Sequence, residues 1–234
     1  YGCLVGSEMC IRDSRMSETL FQQIQQHCVE LEIPVTRQQS MQLAEYAETL
    51  WSWNEKMNLT RHTTAEQFVG RDLLDSYELS KLLIEGEEVL DLGTGGGVPG
   101  IPLKILRPDL TVVVCDSVGK KAEAVEQMVQ KLGLDVEVFK GRGEERLEDS
   151  RFDAVVARAV GPLRKLLNLL SEHWFEAGRL LAIKGPRWVD ERGEARAQGL
   201  MGGLQLRKAT EYTMPESGAT SVILKIWPEG AAER

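Results

Sequence analysis

The sequence predicts an α/β fold: a mainly parallel sheet closed by a C-terminal antiparallel hairpin, with a small N-terminal helical extension in front. Three observations carry this. From Gly86 to residue 184, short apolar runs alternate with helix-period stretches, which is how a parallel sheet with crossover helices reads. The run Val89-Leu90-Asp91-Leu92 opens into glycines at 93, 95, 96 and 97, then Pro99 and Gly100. That is a strand ending in a tight turn and starting a helix. Beyond residue 200, two strand-like segments flank Pro215 and Gly218 with no helix between them.

Taken in order, residues 1–15 show no apolar period, no turn chemistry and no apolar stretch of the signal-peptide kind. They resemble translated adapter read-through and are expected to be a non-native leader. Ser17 then caps a helix with Leu20, Phe21, Ile24, Cys28 and Leu31 at three- and four-residue intervals, ended by Pro34. Thr36 caps a second, with Met41, Ala44, Ala47, Leu50 and Trp51 on one side. Helices this short do not bury their faces alone, so the extension over 16–62 should pack on the domain over 63–234. A third helix over 65–83 turns Phe68, Leu73, Leu74, Tyr77, Leu79 and Leu82 inward. Strands follow at 88–92, 111–116, 136–140, 152–157 and 179–184, with helices at 102–106, 120–132 and 163–175. The hairpin strands are 204–212 and 221–227.

Composition narrows the function classes. With 42% hydrophobic residues in 234, one full domain plus the extension has ample core material. No apolar run approaches the roughly 20 residues of a membrane span, so no membrane partner is expected. A net charge of −8 argues against a protein wrapped in phosphate contacts and leaves a local basic face as the route to RNA. Cys3, Cys10, Cys28 and Cys115 have no metal-ligand spacing, so no metal is expected and a reducing cytoplasm fits.

The glycine loop marks a nucleotide-type cofactor site. Gly95, Gly97 and Gly100 satisfy the literal G-x-G-x-x-G of dinucleotide folds. Asp91 tips the balance, because a carboxylate there repels a pyrophosphate and suits a cationic ligand. The pattern Asp91-x-Gly93-x-Gly95-x-Gly97 resembles the first motif of class I S-adenosylmethionine-dependent methyltransferases, whose sheet is Rossmann-like. Asp116, ending the second strand, falls where an acid grips a ribose diol.

Several further motifs carry a closer resemblance. They are Trp53-Asn54-Glu55-Lys56-Met57-Asn58-Leu59-Thr60, Asp72-Leu73-Leu74-Asp75-Ser76, Asp116-Ser117-Val118-Gly119-Lys120-Lys121, Arg158-Ala159 and Lys184-Gly185. With the stretch from Asp91 to Leu103, they make the chain resemble the RsmG (GidB) family over residues 36–227. The resemblance implies S-adenosylmethionine as cofactor and formation of 7-methylguanosine at one guanine in the decoding-region loop of 16S rRNA. It implies that Gly93 and Val98 line the methionine side of the cofactor, that Gly143 and Glu144 contact its adenine end, and that Arg158 holds the cofactor region or a phosphate. A solvated charge in the run Glu144-Glu145-Arg146 is the plain alternative for Glu144, and an ordinary surface arginine for Arg158. Two positions depart from the family: Asp72 stands where it usually has histidine, and Gly96 where alanine or proline is common, adding backbone freedom that binding must remove.

The residues present suit that acceptor. Amine methylation usually uses an Asn/Asp-Pro-Pro-aromatic element after the fourth strand, and carbon-5 of cytosine needs a nucleophilic cysteine. Here the fourth strand runs into Ala157-Arg158-Ala159-Val160-Gly161-Pro162, which offers neither. Guanine N7 carries a free lone pair and needs only positioning. Lys120, Lys121, Arg142, Arg158, Lys184 and Arg187 fall at strand ends and should converge into a basic mouth. Of these, Arg158 and Lys184 are the candidate catalytic residues, and Trp188 is a candidate stacking platform. Asn54, Asn58 and Thr60 read as turn-forming, and His27, His62 and His173 are assigned no chemistry. The expected partner is 16S rRNA, within the small subunit or its precursor, met by a monomer. Two alternatives remain: a methyltransferase for a small molecule or protein, and a non-catalytic cofactor-binding assembly factor.

Overall fold

The computed structural model describes residues 5–231, with side chains from Glu18 onward. The expectation of a leader over 1–15 lies outside the described side chains. The first helix, α1, is Val5–Glu30, so Ser17 lies within it and does not cap it. Glu, Met and Arg around Ser17 are good helix formers, and nothing there stops the backbone. Helix α2 (Arg37–Asn54) starts at the expected Thr36, with a reciprocal capping box to Gln39. Its buried face is Ser40, Leu43, Ala44, Tyr46, Ala47 and Leu50, while Met41 is 54% exposed. Leu43 and Tyr46, not Met41, continue the stripe, since positions three and four apart share a face.

The expected third helix is broken in character. It runs as α3 (Ala65–Gln67), a π-helical stretch (Phe68–Leu73) and α4 (Leu74–Ser80). Strands β1 (Glu88–Leu92), β2 (Thr111–Asp116), β3 (Val136–Lys140), β4 (Ala154–Arg158) and β5 (Arg179–Lys184) are all parallel. The strands β6 (Leu204–Thr213) and β7 (Thr220–Pro228) form the antiparallel hairpin, giving the order β3-β2-β1-β4-β5-β7-β6. β4 begins two residues later than expected because the Phe152 amide donates to the Glu176 carbonyl, outside the ladder.

The central strands are buried on both faces, as parallel strands between helix layers are. Alternation sorts their side chains: Val89, Val112, Val114 and Val156 enter one core, and Leu90, Leu92, Val113 and Val155 the other. The first core is covered by α1, α2, α4, α5 (Gly100–Leu106) and α6 (Gly119–Leu132). The second is covered by α7 (Gly143–Asp149), α8 (Leu163–Leu170), α9 (Trp174–Ala177) and α10 (Trp188–Ala197). Helices α7 and α10 have no counterpart in the sequence reading: each buries too few apolar residues to show a period. The expected helix at 163–175 divides at Ser171 into α8 and α9. Among the described residues no helix is long and apolar enough to cross a membrane.

The strand order reverses between β1 and β4. In an open parallel sheet, the crevice beyond the carboxyl ends at such a switch point is where ligands bind.

Candidate active site

The glycine loop leaves β1 at this switch point, and two acids shape it. Asp91 is fully buried; its Oδ2 accepts from Thr94 Oγ1 at 2.5 Å and from the Gly100 amide at 2.9 Å. Asp116 Oδ2 accepts from the Gly95 amide at 3.0 Å, and its Oδ1 from the Val118 amide at 2.8 Å. Gly93, Gly95 and Gly97 take φ of 69°, 60° and 103°, the left-handed region that disfavours side chains. Gly96 does not take a left-handed φ, and its closeness to α2 is what sets it apart. A Cβ there would lie 2.7 Å from Leu50 Cδ1, and its carbonyl accepts from the buried Tyr46 hydroxyl at 2.8 Å. Helix α2 therefore clamps the loop. Burial raises the Asp91 carboxyl to about 6, against the opposing hydrogen bonds from Thr94 and Gly100. Its Oδ1 is buried with no hydrogen-bond partner.

Above the loop is a cavity of about 210 Å³, walled by Gly93, Gly95, Val98, Asp116, Lys121 and Arg158 among others. Leu59, Thr60, Arg158 and Ala159 also wall a wider cleft of about 920 Å³. That cleft adds Asn58, Arg61, His62, Arg71 and Lys184. Ala159 holds φ 56° at the shared wall, where the chain turns sharply off β4.

Arg158 is the joint between the two chambers. It is no surface arginine: its side chain is 17% exposed, and Nη1 lies 2.7 Å from Asp72 Oδ1 and 3.2 Å from Asp75 Oδ2. Both carboxylates are fully buried, and they come from the π-helical stretch and the first turn of α4. Burial works against the guanidinium, but Asp72 and Asp75 outweigh it and hold its pKa above the ordinary value. Burial likewise opposes ionisation of Asp72, yet Arg158 and His62 keep its carboxyl below the usual range. The cluster extends to His62 Nδ1, 2.8 Å from Asp72 Oδ1, and to the Tyr212 hydroxyl, which donates to Asp75 Oδ1 at 2.7 Å. Burial, then Asp75, raises the Tyr212 pKa and keeps the phenol a donor. Arg71 Nε stands 3.8 Å from Asp75.

The other expected residues distribute as follows. Lys184 lines the cleft, but its Nζ is held by the Gly161 carbonyl at 2.5 Å and Glu191 at 2.9 Å. Gly143 is buried against Leu92 and Cys115 with no room for a Cβ, and Glu144 follows it in α7; neither walls the cavity. Asp91 and Gly97 lie behind the loop rather than on its cavity face. Lys121 joins the cavity wall, whereas Lys120, Arg142 and Arg187 line neither chamber. Trp188 packs on the second core with Arg192 over its ring, away from the cleft. Asn54 is turn-forming: its Oδ1 accepts from the amides of Leu59 and Thr60.

Sequence reading missed Arg61, Arg71, His62 and Tyr46. Adjacency to Asn58-Leu59-Thr60 and to Asp72 was the available signal for the first three. Tyr46 had none, because its role exists only where α2 meets the loop.

Residues 39–217 match the family described as GidB, rRNA small subunit methyltransferase G. A protein named Ribosomal RNA small subunit methyltransferase G from Rhodopirellula baltica is 50% identical over 191 residues, 82% of this chain and 81% of its own length. The protein of that name from Shewanella oneidensis is 32% identical over 208 residues, 88% of this chain and 98% of its own. Among solved structures, the O-methyltransferase from Bacillus cereus in complex with SAH has a TM-score of 0.58 at 15% identity, covering 86% of this chain and 96% of that one. That likeness is one of fold. On its sequence relatives and its matched length, the chain belongs to the rRNA small subunit methyltransferase G (GidB) family.

Proposed function

We propose that this protein transfers a methyl group from S-adenosylmethionine to N7 of one guanine in the decoding-region loop of 16S rRNA. It acts in the cytoplasm, as a monomer, on RNA preshaped within the small subunit or its precursor. The observation that carries the reading is the pair of chambers that share Arg158 in their walls: a small cavity on the glycine loop and, beside it, a wide cleft with cationic walls.

The residues fit the cofactor. Gly93, Gly95 and Val98 offer backbone and one apolar side chain; Asp116 offers acceptors; buried Asp91 supplies negative charge behind the loop. Gly143 and Glu144 are proposed for the adenine end. When bound, the cofactor supplies a methyl carbon made electrophilic by its sulfonium. The extension at 16–62 serves the site by clamping the loop through Tyr46 and Leu50.

The acceptor must bring its own lone pair. The described cysteines, Cys28 and Cys115, are buried, and burial pushes both thiols up to about 12, so neither is a nucleophile. The chain's work is alignment of donor and acceptor, for which Arg158 and Lys184 set the walls where the chambers meet. Arg61, Arg71 and Lys121 attract phosphates on a protein whose net charge is −8.

The test is methyl transfer from labelled S-adenosylmethionine to small subunits lacking 7-methylguanosine, read by nucleoside mass spectrometry. One new 7-methylguanosine site is expected. Cofactor binding with no label in RNA, or label in another base, would overturn the assignment.

A further inference from the structure

We infer that His62 is the acceptor-base residue of this site, its ring held by Asp72 so that Nε2 accepts from the N1–H and N2–H edge of guanine. The inference rests on the guanine-N7 reading above.

His62 is pinned on both sides of its backbone. The Trp51 Nε1 donates to its carbonyl at 2.7 Å, and its own amide donates to Thr60 Oγ1 at 3.0 Å. Its ring is 27% exposed and lines the cleft. Nδ1 faces Asp72 Oδ1 at 2.8 Å. Asp72 is fully buried beside Arg158 and ionised, so it accepts hydrogen bonds and donates none. Nδ1 must then carry the proton. In the neutral ring, this leaves the lone pair on Nε2, on the side of the ring away from Asp72. The carboxylate behind the ring fixes its tautomer and orientation, as a carboxylate does behind a ligating histidine.

Guanine methylation needs such an acceptor. As the N7–carbon bond forms and the sulfur–carbon bond breaks, the electron pair returns to sulfur and positive charge spreads over the purine. N1–H becomes a stronger donor, and it stays on the base. A hydrogen bond from N1–H to Nε2 therefore strengthens toward the transition state, which is the condition for an interaction to accelerate chemistry. The other charged walls are not free for this role: Arg61, Arg71 and Arg158 are cations, and Glu191 is committed to Lys184 and the Leu163 amide. Adenine offers a lone pair in place of N1–H, so the same nitrogen discriminates against it.

The experiment compares wild type, His62→Ala, His62→Gln and Asp72→Asn as full-length protein, on small subunits lacking 7-methylguanosine. Glutamine can donate to Asp72 through Nε2 and accept from the base through Oε1, so it reproduces both ends. For His62→Ala the expected fall in kcat is roughly 10- to 100-fold. KM for the subunit should move by less than about threefold, since the lost interaction belongs to the transition state. His62→Gln should recover most of the loss, Asp72→Asn should fall between, and cofactor affinity by calorimetry should match wild type in the His62 variants. Wild-type kcat in His62→Ala, or equal loss in His62→Ala and His62→Gln, overturns the inference and leaves the guanine-N7 reading standing. If wild type makes no 7-methylguanosine, that reading fails and takes this inference with it.

Discussion

Removing the Arg158 guanidinium should unfold the protein more readily before it says anything about catalysis. In Arg158→Met, Asp72 and Asp75 keep their full burial but lose the cation 2.7 Å and 3.2 Å away. Asp72 retains His62; Asp75 retains the Tyr212 hydroxyl and the more distant Arg71. Stranding a buried charge in this way costs about 3–5 kcal/mol. Against a total stability of about 5–15 kcal/mol, that is a large share. For a chain of this size it corresponds to a fall in Tm of roughly 6–20 °C. Urea unfolding at pH 7.5, followed by tryptophan fluorescence, measures it directly. The double variant Asp75→Asn/Arg158→Met should regain part of the loss, because one stranded charge is gone. A loss under about 1 kcal/mol, or a double variant no steadier than the single, would refute the picture of Arg158 as the counter-ion of two buried acids. Lost methylation in Arg158→Ala thus reports on fold as well as chemistry, and Arg158→Lys, which keeps the charge, is the better probe.

Three further outcomes are expected. Asp91 has its folded pKa raised to about 6, above its ordinary value of 3.8, so the folded state binds the extra proton between these pH values. Stability is then greatest below pH 4 as far as this group is concerned and is lost as pH rises through 6; Asp91→Asn removes that slope and gains up to about 3 kcal/mol at pH 8. A wild-type-minus-variant difference that stays flat from pH 4 to 8 would contradict this. Gly96→Ala brings a Cβ to 2.7 Å from Leu50 Cδ1; overpacking should cost about 1–3 kcal/mol. It should also weaken cofactor binding by calorimetry, with Leu50→Ala in the same chain restoring it; unchanged affinity would sink the clamp. Tyr46→Phe leaves the buried Gly96 carbonyl unpaired and should destabilise by about 1–3 kcal/mol in urea. A neutral result would mean the carbonyl finds another partner.

The sequence by itself determined the sheet and where its ligand edge lies. β1, β2 and β5 stand at the expected residues because buried parallel strands are short apolar runs, legible one at a time, and the edge strand β3 was legible from its Val-x-Val-Phe pattern. The glycine turn was legible for the same reason: its chemistry is local, carried by Asp91, the glycines and Asp116 within one βαβ unit. The tertiary structure decided the rest. It brought Asp72, Asp75 and Tyr212 around Arg158, with Tyr212 meeting Asp75 across 137 residues of sequence. It also turned His62 into the cleft and against Asp72, a pairing that its place beside Asn58-Leu59-Thr60 hinted at but could not fix. Gly96 shows the difference most plainly. In the sequence it is a flexible loop residue; in the fold it lies under Leu50, whose side chain an added Cβ would push aside. Periodicity records what one element buries. Only packing records which charges and atoms of distant elements must share one dry space, and there the low dielectric makes each pairing count.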